Sequence, residues 1–230
     1  MEEELRKHLH NVTAVEKYQN KSLLGKVKHF VSEIVIIVFA VTLSISLHSW
    51  SEERHQQQET AEFLGDLKED LKEEKVNQQH YSKEVKKATE MFRNFLEIDE
   101  KYIDSLEKNK QDISIHLNLL IHKFNRGNYE GFKSSGKIGF IKNRKLKKQI
   151  LLFYEGRIPL TTEVENSYND KIKILSDYAT NARTKKEMFL PQRSKVMFDI
   201  ARQAALNCDT VYTQNIVLID SILKELKDKS

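Results

Sequence analysis

The stretch Phe30–Trp50, FVSEIVIIVFAVTLSISLHSW, contains no Lys, Arg or Asp, and Glu33 is its only acid. As a helix its 21 residues would rise about 31 Å, the hydrocarbon thickness of a bilayer. Ten of the fourteen residues from Ile34 to Leu47 are Ile, Val, Leu or Phe. At about −0.3 to −0.6 kcal/mol each they favour insertion by roughly 3 to 6 kcal/mol. Thr42, Ser44, Ser46 and Ser49 can return their hydroxyls to i−4 carbonyls, which limits their cost. The stretch reads as a transmembrane helix over residues 29–50. Two other readings compete. Val41–Leu47 alternates strictly, as a half-buried strand does, but no convincing second strand exists to pair with it. A cleaved signal peptide with a small-residue site near Ser44 and Ser46 would instead need a shorter and less acidic leader than the 28 residues that precede the segment.

The flanks set the sidedness. Lys17, Lys21, Lys26 and Lys28 precede the segment, whereas the twenty residues after Trp50 carry only Arg54 and Lys68 against seven acids. That asymmetry predicts a short head, residues 1–28, in the cytoplasm and a translocated part, residues 51–230, on the far side of the membrane. Lys26, Lys28 and Trp50 serve as interfacial anchors.

Composition narrows the remainder. Among 230 residues there are 7 Gly and 2 Pro, too few for a many-turned β architecture or a Pro/Gly-rich disordered chain. Cys208 is the lone cysteine, which excludes an internal disulfide framework and a Cys-rich zinc site. In an oxidising compartment it is tolerable if buried. A net charge of +4 carries no polyanion-binding signature, and nucleic acid is not expected as a partner.

From Ser51 to about Lys108, Leu64, Leu67, Leu71, Tyr81, Val85, Ala88, Phe92, Phe95, Tyr102 and Leu106 fall at three- and four-residue steps, interrupted by Glu74, Gln78 and Asp99. The stripe is heptad-like, either core-facing in a bundle or a coiled coil between chains. A second helix is expected from an Asp112 cap through Leu117, Leu120, Ile121 and Phe124, broken by Arg126-Gly127-Asn128, with Gly131–Gly139 as the loop-richest stretch. A basic helix over 143–154, stopped by Gly156 and Pro159, follows. Thr161 or Thr162 caps another helix to about Ala182, and a last one follows Pro191 to about Leu226. The fold class is therefore all-α, a transmembrane helix followed by a long helix and an elongated helical bundle.

Gly25-Lys26, Glu33-Ile34, the aliphatic run and Trp50 with Glu52, Glu53 and Arg54 carry a likeness, continued by Phe63-Leu64, Leu67-Lys68, Asp70-Leu71, and moderately by Ser134-Ser135-Gly136-Lys137-Ile138, Ile141-Lys142-Asn143 and Leu146. They resemble a single-pass inner-membrane protein family of Bacteroidota with a Gly-Lys, Glu-Ile, Trp-Asn-Glu-Glu-Arg pattern. The chain departs from that pattern at Ser32 and Ala40, where the family has Gly, and at His48 and Ser49, where it has other polar residues. The resemblance implies the topology above and supplies no reaction, since the family has no assigned activity.

Candidate chemistry is sparse. Glu33 is an acid at the edge of hydrocarbon, where ionisable groups default to function. Glu33, Ile37, Ala40, Ser44 and Leu47, with His48 alongside, form a stripe suited to helix–helix contact in lipid. It predicts a second copy of the chain or another membrane subunit as partner, against the simpler reading of an interfacial Glu on a monomeric anchor. His116 and His122 lie off a common helical face, His48 and Glu52 lack a third ligand, and no nucleophile or phosphate-binding motif occurs. No cofactor or metal and no catalytic role are expected. Lys137, Lys142, Arg144, Lys145, Lys147 and Lys148 form one basic cluster, read as a solvated helix face or as a contact for anionic lipid or an acidic partner. The sequence thus points to a membrane-anchored structural or interaction component, with a sensor or ligand-binding module as the alternative.

Overall fold

The computed structural model describes residues 2–227, with side chains from Gly25 onward. The cytoplasmic-head expectation for residues 1–28 therefore falls largely outside the described side chains. The chain forms two units, residues 1–58 and 59–230, and among the described residues it contains no strand.

Helix α1 (Glu2–Glu97) carries the apolar stretch. Val41–Leu47 is helical, so its alternation does not make a strand. Thr42 Oγ1 donates to Val38 O at 2.7 Å and Ser46 Oγ to Thr42 O at 2.8 Å, the i−4 bonding that lets hydroxyls sit in an apolar helix.

In the second unit α1 packs its stripe inward. Phe63, Leu67, Leu71, Glu74, Gln78, Ser82, Val85, Phe92 and Phe95 are buried, at three- and four-residue steps once the half-buried Ala88 is counted between Val85 and Phe92. They face α5 (Ile158–Asn181) and α7 (Gln192–Lys227). Lys75 meets Asp220, Gln78 meets Asn215 and Ser82 meets Asp209, so α1 and α7 run antiparallel. One apolar cluster holds Phe63, Leu67 and Leu71 with Ile219, Ile222 and Leu226, and another holds Val85, Phe92 and Phe95 with Phe198, Ala201 and Ala205. Glu74, Gln78 and Asn215 occupy the stretch between them.

The long helix does not continue to Lys108. It ends at Glu97, and Asp99, whose Oδ1 accepts from Tyr102 N at 2.8 Å, caps α2 (Glu100–Lys108). Lys195 of α7 donates to the carbonyls of Phe95, Leu96 and Ile98 at 3.1, 2.7 and 2.6 Å. It thereby satisfies acceptors that a helix terminus orphans.

The expected helix from Asp112 to Phe124 is absent. Residues 111–126 form a non-helical strap. Ile113, Ile115 and Leu117 are half-buried while Ser114, His116 and Asn118 are exposed, a period of two rather than 3.6. Asp112 caps nothing and pairs with Lys185 at 2.8 Å. The strap's backbone is served by side chains. Leu120 N donates to Asn169 Oδ1 and Asn169 Nδ2 donates to Leu120 O, both at 2.8 Å, and Tyr81 O–H donates to Ile121 O at 2.7 Å. Asn169→Ala removes two of these bonds at once and is expected to cost about 1 to 3 kcal/mol. Denaturant unfolding would read the loss, and faster amide exchange at Leu120 would place it.

Arg126-Gly127-Asn128 opens a helix instead of breaking one, because α3 spans Gly127–Ser134. A 3-10 turn follows over Lys137–Phe140, so the Gly131–Gly139 stretch is largely structured. Asn143 caps α4 (Arg144–Leu151), its Oδ1 accepting from Lys145 N and Leu146 N. Gly156 and Pro159 do not stop the chain: a π-helical turn, Leu152–Arg157, carries it into α5. Proline lacks the N–H of a regular turn, and a widened turn just before it accommodates that loss. Thr161 and Thr162 consequently lie inside α5, donating to Arg157 O and Ile158 O at 2.7 and 3.1 Å, and cap nothing. The short α6 (Lys185–Phe189) precedes Pro191 and α7.

Candidate functional site

Along the apolar helix Lys26, Lys28, Glu33, Ala40, Ser44, His48 and Trp50 are all exposed. Glu33 Oε1 lies 3.2 Å from His29 Nδ1, one turn back, and the Arg54 guanidinium sits 4.2 Å from the Trp50 ring centroid. The basic cluster is partly spent within its own fold. Lys145 pairs with Glu225, Lys137 Nζ donates to Glu59 at 2.7 Å, and Lys147 Nζ donates to Gly139 O at 3.1 Å. Arg144 and Lys148 are exposed, and Lys142 also makes an interaction. The cluster therefore offers fewer charges to an outside partner than its composition suggests.

The centre that sequence reasoning missed is built on His122. The strap delivers its imidazole between α1 and α5, where its side chain is 2% exposed beside Glu74 at 9% and Glu165 at 6%. Nδ1 lies 3.1 Å from Glu165 Oε1, and Nε2 lies 3.2 Å from Glu74 Oε1. Phe124 and Tyr81 flank the ring at centroid distances of 4.0 and 4.7 Å. Burial alone would push the imidazole pKa down. The hydrogen bonds it donates to Glu165 and Glu74, with the charge of those carboxylates, outweigh it and raise the value to about 9. At neutral pH the ring is an imidazolium donating from both nitrogens.

The remaining polar atoms extend this centre. Gln78 Nε2 donates to Glu74 at 2.6 Å, and Tyr212 O–H donates to Glu165 at 2.7 Å. Asn215 Nδ2 donates to Gln78 Oε1 and Thr161 Oγ1, and accepts at Oδ1 from Arg157 Nε at 2.8 Å. Two carboxylates with one imidazolium would leave one buried negative charge. The Arg157 guanidinium, joined through two neutral amides, balances it, a condition for keeping ions in a core.

Glu74 and Gln78 are legible as interruptions of an apolar stripe. Their partner is not, because the apolar spacing from Leu117 to Phe124 predicts a helix around His122 where the chain is non-helical. Among the described residues no three His, Cys, Asp or Glu side chains are grouped as metal ligands. Cys208 is buried, donates to Val164 O at 3.7 Å, and burial pushes its thiol up to about 12, so it is protonated and unreactive at neutral pH.

These features define an all-α bundle preceded by a helix with one long apolar stretch. The chain belongs to DUF6090, a family of unknown function, whose model matches residues 33–188. The match spans Glu33 to Trp50 and takes in Glu74, His122, Arg157 and Glu165. No curated protein and no solved structure matches the chain.

Proposed function

We propose that this chain is a single-pass inner-membrane protein with a cytoplasmic N-terminus and a periplasmic bundle, of the Bacteroidota type it resembles, acting as a structural or protein-interaction component. The observation that carries the reading is the contrast between two kinds of apolar surface. Residues 59–227 bury their stripes, whereas Phe30, Ile37 and Phe39 are 62%, 62% and 66% exposed within a window of mean hydropathy 2.4. Apolar surface of that extent needs an occupant, and lipid fits its length. The sealed His122 centre supports a scaffold over a catalyst. Its ionisable groups are satisfied by one another, whereas a catalytic group must reach substrate.

Carbonate extraction with protease protection from either side tests anchoring and sidedness. Retention in the membrane pellet, with the bundle cut only from the periplasmic side, is the expected result. The Glu33, Ala40, Ser44 and His48 face is the contact for a second copy or another subunit. Glu33→Leu is expected to shift the detergent oligomeric state or deplete crosslinked partners from native membranes. An unchanged pattern would leave a monomeric anchor.

A further inference from the structure

A cavity of about 360 Å³ opens between α1, the strap and α5. Val85, Ala88 and Met91 of α1, Leu120 of the strap and Tyr168 of α5 contribute apolar surface to it. Ser114, His116 and Asn118 line it from the strap's exposed side. Its charged contributors, Glu84 and Lys87, neutralise each other at 2.8 Å. The strap backbone is fastened across it, with His116 N donating to Met91 Sδ at 3.5 Å and Asn169 holding Leu120.

Tyr168 makes this more than a void. The residue is 2% exposed, and among the described residues nothing hydrogen-bonds its hydroxyl, which burial pushes up to about 12. Tyr81, Tyr129 and Tyr212 give their hydroxyls to Ile121 O, Glu155 and Glu165. The Tyr168 hydroxyl is not among the sealed, unsatisfied atoms, and the open space its side chain borders is this cavity. Water in the open space serves that hydroxyl when no ligand is bound, so an acceptor that enters exchanges with water for this one bond and gains from it modestly.

We propose that this cavity binds a small, neutral, mainly apolar molecule bearing one hydrogen-bond-accepting oxygen, a ketone, ester or alcohol on a ring or short chain, with that oxygen on the Tyr168 hydroxyl. Size limits the ligand: at roughly 30 Å³ per water the space equals about a dozen waters. Charge limits it too. No unpaired ion lines the apolar wall, and burying a carboxylate there is costly.

The test uses the full chain in lipid nanodiscs, with para-fluoroacetophenone as the ketone probe and fluorobenzene as its apolar comparator, titrated by fluorine NMR. Partition into lipid is common to every variant, so the protein-dependent difference is what counts. Tyr168→Phe keeps the ring and its packing. It should weaken the ketone about two- to ten-fold and leave fluorobenzene unchanged. Ala88→Trp fills the space and should abolish saturable binding of both. The proposal is overturned by ketone titrations that coincide for wild type and Tyr168→Phe. It is also overturned by the absence of any saturable signal in the wild type.

Discussion

His122→Ala is expected to lower the stability of the bundle by about 3 to 5 kcal/mol, the cost of leaving buried charges without their counter-ion. The imidazolium bridges Glu74 and Glu165 through its two ring nitrogens, and its removal leaves each carboxylate short of a donor. A pH signature separates this from simple loss of packing. In the folded chain the imidazole pKa is raised to about 9, against about 6.5 when unfolded. The stability it contributes is therefore complete below about pH 6.5 and is lost as pH rises through about 9. A difference of that size corresponds to about 3 kcal/mol. Denaturant unfolding of the wild type between pH 6 and pH 10 should show the decline. The same series on His122→Ala should lose the decline that sets in above about pH 6.5 and keep only the one above about pH 9 that the raised Cys208 thiol imposes on both chains, and equal declines in both chains would place the pH dependence elsewhere. The triple replacement of Glu74, His122 and Glu165 by leucine should recover only part of the loss, because it leaves the Gln78 and Tyr212 donors without acceptors and Arg157 without the negative charge it balances.

The sequence was most informative where one pattern dominated. The stripe from Leu64 to Leu106 predicts a helix that buries one face, and α1 does so against α5 and α7, with Phe63 buried in addition and the helix ending at Glu97. Asn143 and Pro191 marked helix starts that the fold uses. Sequence reasoning failed where two periods overlap. Leu117, Leu120, Ile121 and Phe124 satisfy a helical spacing, yet Ile113, Ile115 and Leu117 satisfy an extended one. The tie is decided by distant residues: Tyr81 and Asn169 supply the strap's backbone partners 40 and 49 positions away. Helix ends were misread for a related reason. Gly156 and Pro159 are local stop signals, but a π turn carries the chain through them.

The His122 centre shows the same division. Glu74 and Gln78 on an apolar stripe implied a polar partner, since buried polar groups are paired. Glu165 on α5 and Asn215 on α7 also sit at buried positions of apolar faces. Those four could be suspected from their spacing. The imidazole that joins two of them arrives on a segment without regular structure, which periodicity cannot position. Lys195 capping α1 from almost a hundred residues away was hidden in the same way.

The other large effect expected lies in the apolar helix. Ile37→Arg combined with Val41→Arg places two guanidiniums one turn apart, at positions 62% and 53% exposed. Each arginine near the centre of a membrane helix costs about 2.5 to 3.5 kcal/mol and forfeits an apolar gain of about 0.3 to 0.6. The pair therefore shifts insertion by roughly 6 to 8 kcal/mol, more than the roughly 3 to 6 kcal/mol that the ten large apolar residues contribute. The double variant should move from the carbonate-resistant pellet to the soluble fraction, while Ile37→Leu with Val41→Leu stays in the pellet. The His122 centre involves neither residue, so pH-dependent unfolding of the released chain should match the wild type and exclude general misfolding. Intact mass of the wild-type chain from the pellet separates an anchor from a cleaved leader, because only an anchor retains Phe30–Trp50. Membrane retention of the double-arginine chain equal to that of the wild type would remove the basis for the anchoring proposal, since the expected cost exceeds the apolar gain.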